Sequence, residues 1–399
     1  MNTESREWPA VAYETLPWHR SGDDIGSRRS IKASIGPYDA AIPPKIATLD
    51  VTVPSGILAE ADDATNEIAR FDAAVGSLTA PFSSILLRTE SASSSQVENI
   101  TSSAKQLALA EIRRSTSGNA RLVVANVRAM KAAIELADRL DAESVIDMHR
   151  ALLEESDPGI TGHWRDVQVW IGGGGLSPHA AAFVPPAPAR VPELMDDLME
   201  FTQRADIPLL AQIAIAHAQF ETVHPFPDGN GRTGRALVQG MLRGGRLTRS
   251  VIVPVSAGLL HDLPRYIEAL TAYRRGAIEP IIEAFVEASF AAIRNGWVLV
   301  DALQATRDRW DSVLVARSDS SVHALKTMLL RQPVVSATTV AEGLGVSEVT
   351  AQTGIDRLVD SGILRQAGGG QRYRLYEARE VLEALDAFAA RARRSGRGA

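Results

Sequence analysis

The sequence predicts a mainly α-helical protein with one β-hairpin arm and a C-terminal helix-turn-helix carrying a two-stranded wing. Three observations predict it. Between about 119 and 290, apolar residues recur at spacings of three and four over 121–140, 142–155, 191–204, 209–223 and 232–243. The stretch 165–186 breaks that period: Val167, Val169 and Ile171 alternate with Asp166, Gln168 and Trp170, glycines 172–175 turn the chain, and 182–184 returns. Finally, 321–388 reads helix, helix 338–344, a turn at Gly345, helix 348–361, then strands 363–365 and 372–376 about a glycine turn.

At about 150 residues per domain, the 399 residues suggest two or three domains. Residues 1–90 read as irregular, punctuated by prolines, with one amphipathic helix near 57–75. Lysine and arginine total 42 against 48 aspartates and glutamates, which excludes a strongly basic nucleic-acid binder as a reading of the whole chain. There are no cysteines, so thiolate metal sites, disulfide scaffolds and cysteine nucleophiles are excluded. The first twenty residues have no apolar core and no run approaches about 18 apolar residues. A cytoplasmic protein without a membrane partner is expected.

The segment that carries chemistry is His224-Pro225-Phe226-Pro227-Asp228-Gly229-Asn230-Gly231-Arg232-Thr233-Gly234-Arg235. Pro225 disfavours helix at the residue before it, so His224 ends the preceding helix and faces a loop. An unperturbed imidazole titrates near pH ~6.5, which suits a general base. Gly229, Asn230 and Gly231 let the backbone curl into a helix N-terminus, whose free amides and dipole make an anion site. Arg232 and Arg235, three apart, can clamp further phosphate oxygens. Asp228 is a hard oxygen ligand beside them, suited to Mg²⁺. Base, metal ligand, anion nest and arginines are what attack on a polyphosphate requires.

The segment resembles the signature of the Fic (filamentation-induced by cAMP) family, His-Pro-Phe-x-Asp-Gly-Asn-Gly-Arg-x-x-Arg, at every fixed position, and 216–221 resembles the family's approach helix. The resemblance implies a Fic-type helical bundle with a flap, and transfer of AMP from ATP to a Ser, Thr or Tyr hydroxyl of a target protein or of the chain itself. It implies that His224 deprotonates the hydroxyl and Asp228 holds Mg²⁺. Gly229 to Gly231 would bind the inner phosphates, and the start of the helix from Arg232 through Thr233 and Gly234 to Arg235 the outer ones. Residues 162–172 resemble the family's flap: its edge would hold a target segment as an added strand, while Val169, Trp170, Ile171 and Gly172 cover the nucleotide. Tyr266 resembles a purine-side residue, with ordinary helix packing as the alternative. Ile267 and Arg274 depart from the family there, which leaves the preference for adenine less secure than the phosphate chemistry. The glycine run is a hairpin turn, since it lacks the Lys-Ser/Thr ending of a phosphate loop. His149 and His217 are read as packing residues.

Ser94-Ser95-Gln96-Val97-Glu98-Asn99 resembles the family's inhibitory pattern, with Ser94, Glu98 and Asn99 at its fixed positions. It implies a helix at 91–101 that presents Glu98 to Arg235 and so occupies the arginine meant for the γ-phosphate. The remaining divisions expected are an N-terminal Fic-associated region at 1–90, the catalytic domain at 102–300, a winged helix at 320–390 and a frayed basic tail at 391–399. The second helix of the winged unit carries Glu348, Asp356 and Asp360 against Arg357, a poor footprint for DNA. Packing or dimerisation is the reading preferred for that unit, and DNA binding is not favoured. Two alternatives to AMP transfer stay open: a Fic enzyme that removes AMP or moves another phosphate group, and a DNA-binding regulator.

Overall fold

The computed structural model describes residues 8–18, 35–78, 81–173, 177–314, 321–368 and 374–393. Two strands come first, β1 (Ala12–Leu16) and β2 (Tyr38–Ile42), antiparallel with Tyr13 opposite Ala41. The irregular reading of the N-terminal region is corrected by this hairpin, whose strands are too short and too far apart in sequence for a local turn signal. Helices follow: α1 (Ser55–Gly76), α2 (Phe82–Val97), α3 (Ala104–Glu111), α4 (Gly118–Glu135), α5 (Ala142–Leu153), α6 (Val191–Thr202), α7 (Leu209–Val223) and α8 (Asn230–Gly244). Then come α9 (Val255–His261), α10 (Leu263–Arg274), α11 (Glu279–Val313), α12 (Ser321–Arg331), α13 (Ala337–Leu344), α14 (Glu348–Asp360) and α15 (Arg379–Arg393). Strands β3 (Val334–Val335), β4 (Arg365–Gly368) and β5 (Leu375–Glu377) make a sheet in the order β3-β5-β4.

The chain divides into two compact units, one of residues 1–65, 129–245 and 264–286, the other of 66–128, 246–263 and 287–399. In the first unit α7 is buried on every side from Leu210 to Val223, as a central helix must be. α8 returns along it. The approach is close because residue 234 is glycine: a Cβ there would stand 2.8 Å from Cδ1 of Phe220. Gly234→Ala is therefore expected to cost about 1–3 kcal/mol, read as a lower denaturant midpoint.

The arm at 165–186 differs from the expected hairpin. Among the described residues one antiparallel bridge joins its limbs, Ile171 to Phe183, with Ile171 N–H donating to Phe183 O at 2.8 Å. The ladder stops there for two reasons. Pro185 and Pro186 have no N–H to give. Side chains also take carbonyls that a strand would use: Gln168 Nε2 donates to Val169 O and Pro185 O, and Arg165 donates to Val167 O and Pro186 O. On its return the arm pairs with β2, Ala41 N–H to Val184 O at 3.0 Å. Gly174 and Gly175 of the glycine run lie outside the described residues.

In the second unit α2 begins nine residues earlier than the expected 91–101 helix, and Ser91, Ser93, Ser94 and Ser95 are buried within it. Ser91 Oγ donates back to Leu87 O, and Asn126 Nδ2 donates to Ser91 O at 2.9 Å. The serines are thus packing positions of a helix begun by Phe82, Ile85 and Leu86. The C-terminal elements occur in the expected order, with β4 at 365–368 rather than 363–365, but 320–390 does not stand apart as its own domain. Gln332 Nε2 donates to Ala108 O at 2.8 Å, and Asp386 accepts from Ala104 N–H at 2.9 Å. These contacts fold α12 to α15 onto α3 in one unit. The expected frayed tail is helical as far as Arg393, with Arg391 Nε donating to Asn295 Oδ1 at 2.7 Å; 394–399 lie outside the described residues. The glycine turn at 369–370 and Arg372 also lie outside them.

Candidate active site

The site is built on the α7–α8 junction. α7 closes with His224 N–H donating to Phe220 O at 2.8 Å, and His224 itself adopts a left-handed conformation, φ 51° and ψ 63°. A β-carbon makes that region costly, so the turn has to be held by its surroundings. The imidazole is 20% exposed. Its Nδ1 is buried, 3.9 Å from Oε2 of Glu221. The Glu221 carboxylate thus stands on the Nδ1 side of the ring, where it would favour an imidazolium.

The loop is held from beneath. Phe226 is fully buried, stacked on His149 with centroids 3.7 Å apart and planes 1° from parallel, and Trp164 tilts against it at 5.1 Å. His149 Nε2 lies 3.0 Å from Asp228 O and must donate to it. Burial is the largest influence on His149 and pushes its pKa down to about 4, so the ring is neutral near pH 7. Reading His149 as mere packing missed this role; its spacing on a helix carried no signal of it. His217 is likewise buried and pushed down to about 3, first by burial and then by the charge of Arg235. Unfolded, both rings titrate near 6.5. The unfolded chain thus binds more protons between pH 6.5 and about 4, and stability is lost as pH falls through that window. His149→Phe, which keeps the stack, is expected to flatten that acid limb of a Tm-against-pH curve.

Gly229 starts α8 with φ 79°, and a Cβ would lie 3.0 Å from Cδ2 of Leu152. Gly229→Ala is expected to destabilise by roughly 1–3 kcal/mol and to open the anion nest; a lower Tm and weaker nucleotide binding would register both. The Asn230 side chain ties the loop together, because Oδ1 accepts from Phe226 N–H and Nδ2 donates to Phe226 O, both at 2.8 Å. Its backbone amide remains at the helix start. The first intrahelical bond is Thr233 N–H to Gly229 O, so the amides of Asn230, Gly231 and Arg232 precede the ladder, as at any helix N-terminus. Thr233 and Gly234 are buried against α7.

Arg232 and Arg235 are 3% and 2% exposed. Arg232 Nη2 lies 3.3 Å from Oδ2 of Asp228, whose side chain is 70% exposed. Among the described residues no cluster of three metal-ligating side chains exists. Mg²⁺ commonly takes one or two carboxylates and completes its shell with water and substrate phosphate, so a single exposed carboxylate beside an anion nest fits it.

The flap has two faces. Ile171 packs with Val11, Ala41 and Phe183, and the guanidinium of Arg274 stands 3.8 Å over the Phe183 ring with Nη2 3.4 Å from Glu221 O. Trp170 belongs to the other face, with Trp18, Tyr38 and Val184. Its side chain thus stands in a different cluster from that of Ile171, which makes the bridge to Phe183. Tyr266 is 2% exposed and its hydroxyl lies 2.7 Å from His217 Nε2. That hydroxyl is engaged by His217 in the core, an arrangement that the packing alternative requires. Glu98 is the C-cap of α2, and Asn99 follows it at φ 62°.

The Fic/DOC family matches residues 139–242, and the Fic/DOC family N-terminal region matches 58–135. Among curated relatives, protein adenylyltransferase fic-1 of Caenorhabditis elegans is 30% identical over 162 residues, 40% of this chain and 29% of that protein. Protein adenylyltransferase Fic of Nematostella vectensis is 30% identical over 152 residues, 37% and 32% respectively. The chain thus spans about three-tenths of the length of the curated relatives it matches. A Fic family protein from Desulfovibrio desulfuricans shares the fold, with TM-score 0.54 at 21% identity over 84% of this chain and 98% of that one. No helix among the described residues is long and apolar enough to cross a membrane. His224 to Arg235 are assembled as one loop inside the span 139–242, so this part of the chain carries a Fic/DOC domain.

Proposed function

We propose that the chain is a protein adenylyltransferase that moves AMP from ATP to a hydroxyl of a target protein or of itself and releases pyrophosphate. The observation that carries this reading is the left-handed His224, directly before the glycine turn that opens α8 and followed by two arginines on that helix. His224 Nε2 takes the hydroxyl proton as the oxygen attacks the α-phosphorus, and the bond to the β,γ-pyrophosphate breaks. Glu221, 3.9 Å behind the ring, favours the imidazolium so formed. The amides of 230–232 and the α8 dipole receive the inner phosphate charge, and Arg232 and Arg235 receive the rest. Asp228 would hold Mg²⁺, which supplies charge neutralisation for the polyphosphate.

The target segment is read as an added strand on the flap. Residues 167, 169 and 171 turn their carbonyls inward, to Arg165, Gln168 and the Phe183 limb. Gln168 and Trp170 therefore turn their backbone groups outward, which supports an added strand there. Self-inhibition belongs to the same proposal: Glu98 pairs with Arg235 and competes with the γ-phosphate. A cytoplasmic site of action, and a packing or self-association role for the C-terminal elements, complete it.

Incubation with Mg²⁺ and ATP labelled at the α-phosphorus tests the reading. Label is expected on protein, weakly from the parent chain and strongly from Glu98→Gly, with none from ATP labelled at the γ-position. Transfer of the γ-label instead would replace AMP transfer by phosphoryl transfer.

A further inference from the structure

Arg165 is 2% exposed, one of the largest side chains to be so deeply buried. No carboxylate pairs with it among the described residues. Its guanidinium is spent on backbone carbonyls: Nε donates to His224 O at 2.8 Å, Nη1 to Val167 O at 3.0 Å, and Nη2 to Pro186 O at 2.5 Å with Val223 O at 3.4 Å. Its own N–H donates to Pro225 O at 2.9 Å. Burial lowers its pKa to about 10, so it stays charged at neutral pH. A buried charge without a counter-ion is costly, and here the last carbonyls of α7, the negative end of that helix, offset it.

The acceptors fall into two sets. His224 and Val223 are the end of α7, where the base adopts its left-handed turn. Val167 and Pro186 are the outgoing and returning limbs of the flap. We propose that Arg165 is a positioning residue that holds His224 in its left-handed conformation and fixes both limbs of the flap to it, so that the edge taking the target and the base taking its proton keep one geometry. This rests on the transfer chemistry proposed above. A planar fork with five donors suits four carbonyls, whereas an ammonium on a flexible stem does not reach them together.

Arg165→Lys and Arg165→Met in the Glu98→Gly background test it. Lysine keeps the charge and part of the bonding, so it guards against a merely unfolded methionine variant. Expected is a fall in kcat of about tenfold for lysine and about a hundredfold or more for methionine, since small misplacements cost that much. KM for ATP should stay within about threefold, because the amide nest and α8 are untouched. Unchanged kcat in a folded Arg165→Lys overturns the proposal, and so does an equal rise in KM for ATP. Should Glu98→Gly itself transfer no AMP, the Cε1–H resonance of His224 still reads the claim. It is expected to move or broaden in Arg165→Lys with Tm within a few degrees of the parent, and an unmoved resonance overturns the role independently of the chemistry.

Discussion

Removing the imidazole of His224 in the Glu98→Gly background is expected to cut AMP transfer by about 10²–10⁴-fold, the range typical of a general base. ATP affinity should hardly change. The amides at the start of α8 and the two buried arginines belong to the helix, downstream of the 224 side chain. The backbone consequence is mild as well: residue 224 is left-handed at φ 51°, and alanine there costs about 1 kcal/mol, well below what α7 and α8 gain from burial. His224→Asn is the better control, since asparagine tolerates that conformation and keeps the fold while offering no base. Rates from α-labelled ATP, with nucleotide affinity by calorimetry, separate the two effects. Loss of binding in parallel with rate would mean that His224 shapes the nest rather than taking the proton. A further check lies at Glu221: Glu221→Gln removes the charge 3.9 Å from Nδ1, and the rate is expected to fall by about tenfold as the imidazolium loses its support.

How much of this was legible beforehand depends on whether each residue acts through local or through distant neighbours. The α7–α8 junction is local: Pro225, three glycines and two arginines in twelve residues dictate a helix stop, a turn and a helix start, and the helix limits 209–223 are read correctly from periodicity alone. The limits of α2 are not. Serine is a good N-cap in isolation, but the serines of 91–95 are enclosed by neighbours such as Asn126, 35 residues from Ser91, so tertiary contact overrides propensity. The flap carries a true alternating pattern, yet Arg165 and Gln168 turn their side chains back on its carbonyls, and no period records that. Trp170 and Ile171 lie on opposite faces, as neighbours in a strand must, and that much is legible in the sequence. The roles of His149 and Arg165 are not, since each acts on backbone atoms 59 to 79 residues away.

Neutralising Glu98 is expected to raise the rate of AMP transfer by about 10–100-fold, the worth of a charge-assisted bidentate pair of roughly 1.5–3 kcal/mol. The end of α2 lets the charge be separated from the shape. Asn99 N–H donates to Gln96 O at 2.9 Å and Ile100 N–H to Ser95 O at 3.0 Å, with Asn99 left-handed at φ 62°. This is the Schellman arrangement, and it explains physically why asparagine, which tolerates the left-handed region, suits the position after the glutamate. Three substitutions follow. Glu98→Gln keeps the cap and the volume and loses only the charge, so activation close to that of Glu98→Gly identifies the charge as the inhibitor. Asn99→Gly keeps the turn and is expected to leave the rate near that of the parent. Asn99→Val cannot hold φ 62° without strain, frays the last turn and is expected to activate partially while Glu98 is still present. Equal rates for parent and Glu98→Gln would remove the inhibitory reading and leave the transfer chemistry standing. Activation by Asn99→Val but not by Glu98→Gln would move the inhibition from the carboxylate to the helix end itself.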